Sequence, residues 1–111
     1  MKREIELIPF KYICRWKFLN NNEGKRIVKV SGVSGEYLLN EMASEIWVLM
    51  DGKRTVKEIA KIISNNYSGV SLRIIEKDII DLLRELEHKD IIIMDYNSLF
   101  PYKKLHAINK K

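Results

Sequence analysis

A chain of 111 residues that is 46% hydrophobic and 32% charged has the make-up of one small folded domain with a single modest core, not of a disordered segment. No apolar run is long enough to span a bilayer, and the opening MKREIELIPF carries acids where a signal peptide needs an unbroken apolar stretch, which fits a cytoplasmic location without a membrane partner. The net charge of +5 is uneven: residues 1–35 carry eight bases and three acids, residues 36–100 eight bases and twelve acids, and the last eleven residues four lysines, so a basic sheet end and tail flank an acidic helical body.

Residues 5–8 read as a short edge piece stopped by Pro9. Phe10, Tyr12, Cys14, Trp16 and Phe18 then alternate with Lys11, Ile13, Arg15 and Lys17, a period of two that predicts a strand with one buried and one basic face. Asn20-Asn21-Asn22-Glu23-Gly24 is turn chemistry, and residues 26–33 read as the returning strand. Gly32-Val33-Ser34-Gly35 turns the chain into a short strand at 36–39, which completes a three-stranded antiparallel meander. Asn40 can cap a helix over 41–51, with Met42, Ala43, Ile46, Trp47, Leu49 and Met50 on its apolar face; Trp47 and Leu39 are expected core anchors. Gly52 closes that helix, and Thr55 and Glu58 form a capping box for a second at about 56–66. Ser71 caps a third, whose Leu72, Ile75, Ile79, Leu82, Leu83 and Leu86 run at helical spacing to His88. Residues 91–94 form a last short strand. The fold class is therefore α+β, a winged-helix-like meander followed by a three-helix bundle. Residues 1–95 make the single domain and 96–111 a basic, loosely ordered tail.

No catalytic constellation stands out. Cys14 has no partner for an internal disulfide, and with His88 and His106 it makes no zinc site, so neither metal nor cofactor is expected. His88 suits the end of the third helix as a dipole partner, and Asp78, Asp81 and Glu85 share a helix face that reads as a solvated stripe. Arg73, Lys77, Ile80 and Arg84 form a second stripe, mixed basic and apolar, beside the buried face of the same helix. The strand at 36–39 ends the meander, so one of its edges should be open and guarded only by Gly35, Glu36 and Tyr37. An open edge beside such a stripe is a receptor for an added strand, with Glu36, Tyr37, Leu38 and Leu39 on one wall and Arg73, Lys77, Ile80 and Arg84 on the other.

The wording of this region carries a resemblance. Tyr37-Leu38-Leu39-Asn40-Glu41, the Ala43/Ile46/Trp47 spacing, Asp51-Gly52-Lys53-Arg54-Thr55, Glu58-Ile59-Ala60, Tyr67 and the helix over 78–86 with its following aliphatic strand resemble the PqqD-like family. These are the recognition elements of ribosomal peptide modification systems, and the pattern covers roughly residues 8–93. The resemblance implies a non-catalytic chaperone that binds the leader segment of a precursor peptide as an extra strand, in a groove lined by the third helix. It further implies presentation of that peptide to a modifying enzyme, often a radical SAM protein. Two departures stand out: Lys89-Asp90 replaces the Gly usual after the third helix, and the tail lies outside the shared pattern.

The rival reading is a winged-helix DNA-binding regulator, which overall basicity supports. Against it, residues 71–89 hold four bases and five acids, whereas a recognition helix approaches phosphates through Lys and Arg. No specific nucleic-acid partner is therefore expected. A third possibility is a structural subunit in which two copies pair as a homodimer through the same strand edge.

Overall fold

The computed structural model describes residues 3–12 and 14–95. A 3-10 turn at Glu4–Glu6 leads into β1 (Phe10–Lys11), followed by β2 (Cys14–Asn20), β3 (Arg26–Gly32) and β4 (Gly35–Leu38). Helices α1 (Glu41–Leu49), α2 (Val56–Ser64) and α3 (Leu72–His88) come next, and β5 (Ile92–Ile93) closes the described chain. β2, β3 and β4 form the expected antiparallel meander, while β1 and β5 pair with each other in a separate two-stranded sheet. The expected tail at 96–111 lies outside the described residues, as does Ile13.

The strand expected over 10–18 is thus two strands in two sheets. The register explains the split. All seven residues of β3, up to Gly32, are matched by Cys14–Asn20, so residues before Cys14 find no partner there. Phe10 and Lys11 pair instead with Ile93 and Ile92, and the Tyr12 amide donates to the Ile91 carbonyl at 2.9 Å. Residues 5–8 form no edge strand either. The chain turns at Glu4–Glu6, and the Leu7 carbonyl accepts from the Val56 amide at 2.9 Å, tying the N-terminal segment to the start of α2.

Local capping follows the sequence closely. The Asn40 side chain accepts from the Ala43 amide at 2.8 Å, Thr55 and Glu58 exchange a full capping box, and Ser71 accepts from Ile74. Asp51 stiffens the turn after α1 by accepting from the Lys53 and Arg54 amides at 2.9 and 2.8 Å, and these bonds hold its carboxyl below the usual range. Between the sheet and the helices sits one core. Val28 and Val30 of β3, Trp47 of α1, Ile59 of α2 and Ile75 and Ile79 of α3 are fully buried, and Leu39 nearly so. Ile62 and Leu72, expected on the apolar faces of α2 and α3, are exposed. The aromatic face of β2 is less covered than its alternation suggests: Trp16 and Phe18 are each 39% exposed, with Trp16 edge-on to Trp47 at 6.2 Å between ring centres.

One side chain fixes the helices to the sheet. Ser44, on α1, is the buried polar residue of this core. Its Oγ accepts from the Val28 amide at 2.8 Å and donates to the Leu39 carbonyl at 3.2 Å, standing in for one rung of the ladder. The other rung of that pair is direct, from the Leu39 amide to the Val28 carbonyl at 2.9 Å. Ser44→Ala should leave the Val28 amide buried without an acceptor, at a cost of about 1–3 kcal/mol. Urea unfolding would measure the loss and hydrogen exchange would show a faster Val28 amide; an unchanged melt would mean that the strands close the gap themselves.

The loop between α2 and α3 is held by the Tyr67 hydroxyl, which donates to the Glu45 carboxylate at 2.6 Å. That bond, with some burial, pushes the Tyr67 phenol up to about 12 from its ordinary 10.0. The folded protein therefore holds this proton more tightly than the unfolded chain does. The resulting stability is complete below pH 10 and is lost as pH rises through about 12. Tyr67→Phe should lower stability at neutral pH and remove this part of the alkaline loss. Denaturant titrations of both proteins across that window would check it, and parallel curves would exclude the linkage.

Candidate functional site

β4 pairs with β3 alone, so its outer edge has no strand partner among the described residues. In an antiparallel ladder, paired and unpaired rungs alternate. The Leu39–Val28 bond makes that pair a hydrogen-bonded one, and Tyr37 lies opposite Val30 two residues away. Alternation then directs the amides and carbonyls of Glu36 and Leu38 away from β3, toward the open edge. β2, the sheet's other edge, carries Arg15 and Lys17, cations that discourage strand pairing.

The open edge faces a groove of about 390 Å³ between β4 and α3. Its sheet wall is Glu36, Tyr37, Leu38, Leu39, Asn40 and Ala43, and its helix wall is Leu82, Glu85, Leu86 and Lys89. A second hollow of about 310 Å³ continues it between α1 and α3, sharing Asn40, Ala43, Leu82 and Glu85 and adding Met42, Ile46, Asp78 and Asp81. Ala43, Leu82 and Leu86 supply apolar lining on the helical side of the groove, and the acids of α3 gather in its continuation, where Asp78 and Asp81 join Glu85.

One end of the groove is latched. The Ser34 hydroxyl donates to the Lys89 carbonyl at 2.8 Å, the Tyr37 hydroxyl lies 2.8 Å from Ser34 Oγ, and the Lys89 ammonium sits 5.1 Å from the Tyr37 ring centre. This latch depends on how α3 ends. Asp90 has φ +61, the left-handed conformation usually given to glycine, and its amide donates to the Glu87 carbonyl at 2.9 Å. The Ile91 amide donates to Leu86 at 3.0 Å, which completes a Schellman motif. Asp tolerates this conformation better than most residues with a Cβ. The Lys89-Asp90 departure thus keeps the geometry of a glycine stop and adds a cation at the groove end.

The four strand residues expected at the site all line the groove. Leu38 is 64% exposed, whereas Leu39 is a core residue whose backbone borders the site. The four helix residues do not line it. Arg73, Lys77, Ile80 and Arg84 border a separate hollow of about 290 Å³ together with Glu4, Ile5, Glu76 and Asp81. Arg84 pairs there with Glu4, and Lys77 pairs with Asp81 at 2.9 Å, which raises the Lys77 pKa. At about 100° per residue, this stripe lies about 140° around α3 from the one formed by Asp78, Leu82, Glu85 and Lys89. The two stripes flank the buried face on opposite sides, and the acidic one, read from sequence as merely solvated, is the one beside β4. Periodicity locates the buried face of a helix but does not say which flank meets the sheet, so no signal within α3 distinguished them.

Titratable groups elsewhere have local explanations. On the outer sheet face Lys29 lies 3.0 Å from Glu36; its hydrogen bond and charge hold that carboxyl below the usual range. Burial lowers the Lys11 pKa and raises that of the nearby Cys14 thiol. No group of three or more His, Cys, Asp or Glu that could hold a metal ion occurs among the described residues. Among them, too, no helix is long and apolar enough to cross a membrane.

Comparison with known proteins follows the same geometry. The family model of coenzyme PQQ synthesis protein D (PqqD) matches residues 20–92, well over half of the chain. No curated protein matches it. Among solved structures it is similar to the PqqD truncation of Methylobacterium extorquens PqqCD, determined by solution NMR. The two are 24% identical, with a TM-score of 0.60 over 77% of this chain and 87% of that one. That structure is described as a functional, stand-alone recognition element for ribosomally synthesized and post-translationally modified peptides. At this identity the likeness concerns the fold. The chain belongs to the PqqD family.

Proposed function

We propose that this member of the PqqD family is a non-catalytic recognition element: it captures the leader segment of a precursor peptide as an added strand on β4 and presents it to a modifying enzyme, a radical SAM protein. The observation that carries this reading is the outward-facing backbone of Glu36 and Leu38 beside a groove with apolar lining. Strand addition needs such an edge for main-chain bonds and neighbouring pockets for side chains. The likeness to a stand-alone recognition element supports it, and the radical SAM partner follows from the family resemblance of the sequence. The DNA-binding alternative is the weaker reading, since the flank of α3 that faces α1 and β4 carries Asp78, Asp81 and Glu85, and Lys77 and Arg84 on the other flank pair with Asp81 and Glu4.

Titration with the cognate leader should move the backbone amides of Glu36 and Leu38 most, with further shifts from Leu82 to Lys89. Shifts confined to β2 and β3 would defeat this placement.

The two flanks of α3 can be separated directly. Leu82→Ala should weaken leader binding about tenfold, as expected for roughly 1–1.5 kcal/mol of lost apolar contact, whereas Ile80→Ala should leave it within about twofold. Calorimetry on variants with matched melting curves would decide, and the reverse ranking would place the peptide on the Arg73/Lys77/Arg84 side.

A further inference from the structure

The charge on the groove specifies what kind of peptide it takes. Three carboxylates from α3, Asp78, Asp81 and Glu85, line the groove and its continuation, and Lys89 is the cation that lines them, held at the latched end by Glu85 and the Tyr37 ring. Asp81 is occupied by Lys77, an exposed pair that solvent screens, and Asp78 forms no ion pair among the described residues. Between these carboxylates and the strand edge, Ala43, Leu82 and Leu86 supply apolar lining. Asp81 and Glu85 stand at i, i+4, and Asp78 and Asp81 at i, i+3, spacings at which like charges destabilise a helix by a few tenths of a kcal/mol each. A cationic ligand relieves that repulsion; an acidic one increases it. The local field also opposes the net charge of +5 of the whole chain, so long-range attraction and groove preference act in opposite directions.

Resting on the strand-addition reading above, we infer that the bound segment is an extended peptide of alternating apolar and cationic residues. Its apolar side chains pack on the lining at Ala43, Leu82 and Leu86, and its Lys or Arg side chains meet Asp78, Asp81 and Glu85. The dimensions agree. Asp78 and Glu85 are separated by about 10 Å along the helix axis, and same-side residues of a strand repeat every 6–7 Å or so, so two alternate cations reach both ends of the acidic rim. The basic stripe at Arg73, Lys77 and Arg84, which by itself suggests an acidic ligand, borders another hollow and touches the rim through the exposed Lys77–Asp81 pair, which an incoming cation must displace at Asp81.

Two pools of capped decapeptides test this on the full chain. Both pools are randomised among apolar residues at alternate positions. One carries paired lysines and the other paired glutamates among Ser and Thr at the intervening positions. The lysine pool should shift the Glu36 and Leu38 amides and bind about tenfold more tightly than the glutamate pool at low salt, with the ratio shrinking as salt rises. Asp78→Asn with Glu85→Gln, both at exposed positions, should erase most of that ratio while leaving the melting curve unchanged. Equal binding of the pools, or tighter binding of the glutamate pool, with shifts at Glu36 and Leu38 would overturn the cationic preference and leave strand addition standing. Failure of both pools to move those two amides would overturn strand addition and the preference together.

Discussion

The Ser44 hydroxyl is the hinge point of this small architecture. A helix that starts within two residues of a strand cannot continue the ladder, yet Val28 and Leu39 are both buried and their backbone groups need partners. Ser44 supplies one donor and one acceptor at the place where β4 ends and α1 begins. The sheet is thereby locked to α1 without a further strand, and the register of β4 is fixed. Register fixes which amides point inward, and the ladder that Ser44 extends turns those of Glu36 and Leu38 toward the groove. A hydrophobic residue there would leave two buried backbone groups unpaired, and a longer polar one would push the helix away from the sheet.

Most of the described cations of this basic chain have local partners. Lys11 is drawn under the domain: its ammonium lies 5.1 Å from the Trp16 and Trp47 ring centres and donates to the Met50 carbonyl at 2.9 Å, at the C-terminal end of α1. Arg54 serves the same end by donating to Leu49 at 3.0 Å. Arg26 lies over the Phe18 ring at 3.6 Å, and Lys29 pairs with Glu36 on the outer face of the sheet. These cations serve helix ends, aromatic faces and, at Lys29, the outer side of a strand residue that borders the groove. The Lys11 contacts also cover one side of Trp47, whose Nε1 is buried without an acceptor among the described residues, so that ring contributes through packing and its π face.

How far the sequence foretold this depends on the range of the interaction. Caps and turns were legible, because Asn40, Thr55 with Glu58, Ser71 and Asp51 act on atoms within a few residues of themselves. The meander was legible too, since turn residues and alternation fix adjacent strands. The end of β1 at Lys11 was not, because continuous alternation cannot reveal that residues 10–11 find a partner some eighty positions away in β5. The helical wall of the groove was not legible for a different reason. Amphipathicity gives the direction of the core, a single vector, while the site depends on which of two flanks the hand of the connection turns toward the sheet. The positive stripe was the more conspicuous in sequence, and the acidic stripe proved the nearer.

The end of α3 shows how a departure from a family pattern can preserve geometry while changing chemistry. A glycine there would give the left-handed turn at little conformational cost but nothing to hold the groove end. With Asp90 in the left-handed position, Lys89 becomes the last helical cap, its carbonyl held by Ser34 and its ammonium set between Glu85 and the Tyr37 ring. Asp90 adds a further negative charge just beyond the helix, where the dipole end is also negative, an arrangement unfavourable in itself. Lys89 offsets it from one residue away. The same lysine screens Glu85 at the latched end, while Asp78 at the far end forms no ion pair among the described residues, so the acidic character of the groove grows along α3 from the latch toward Met42 and Ile46. A strand added along β4, as proposed, would meet a graded surface, neutral at one end and anionic at the other. Such a gradient distinguishes the two directions in which a peptide can be laid against an open edge, where main-chain hydrogen bonding by itself discriminates little between parallel and antiparallel addition.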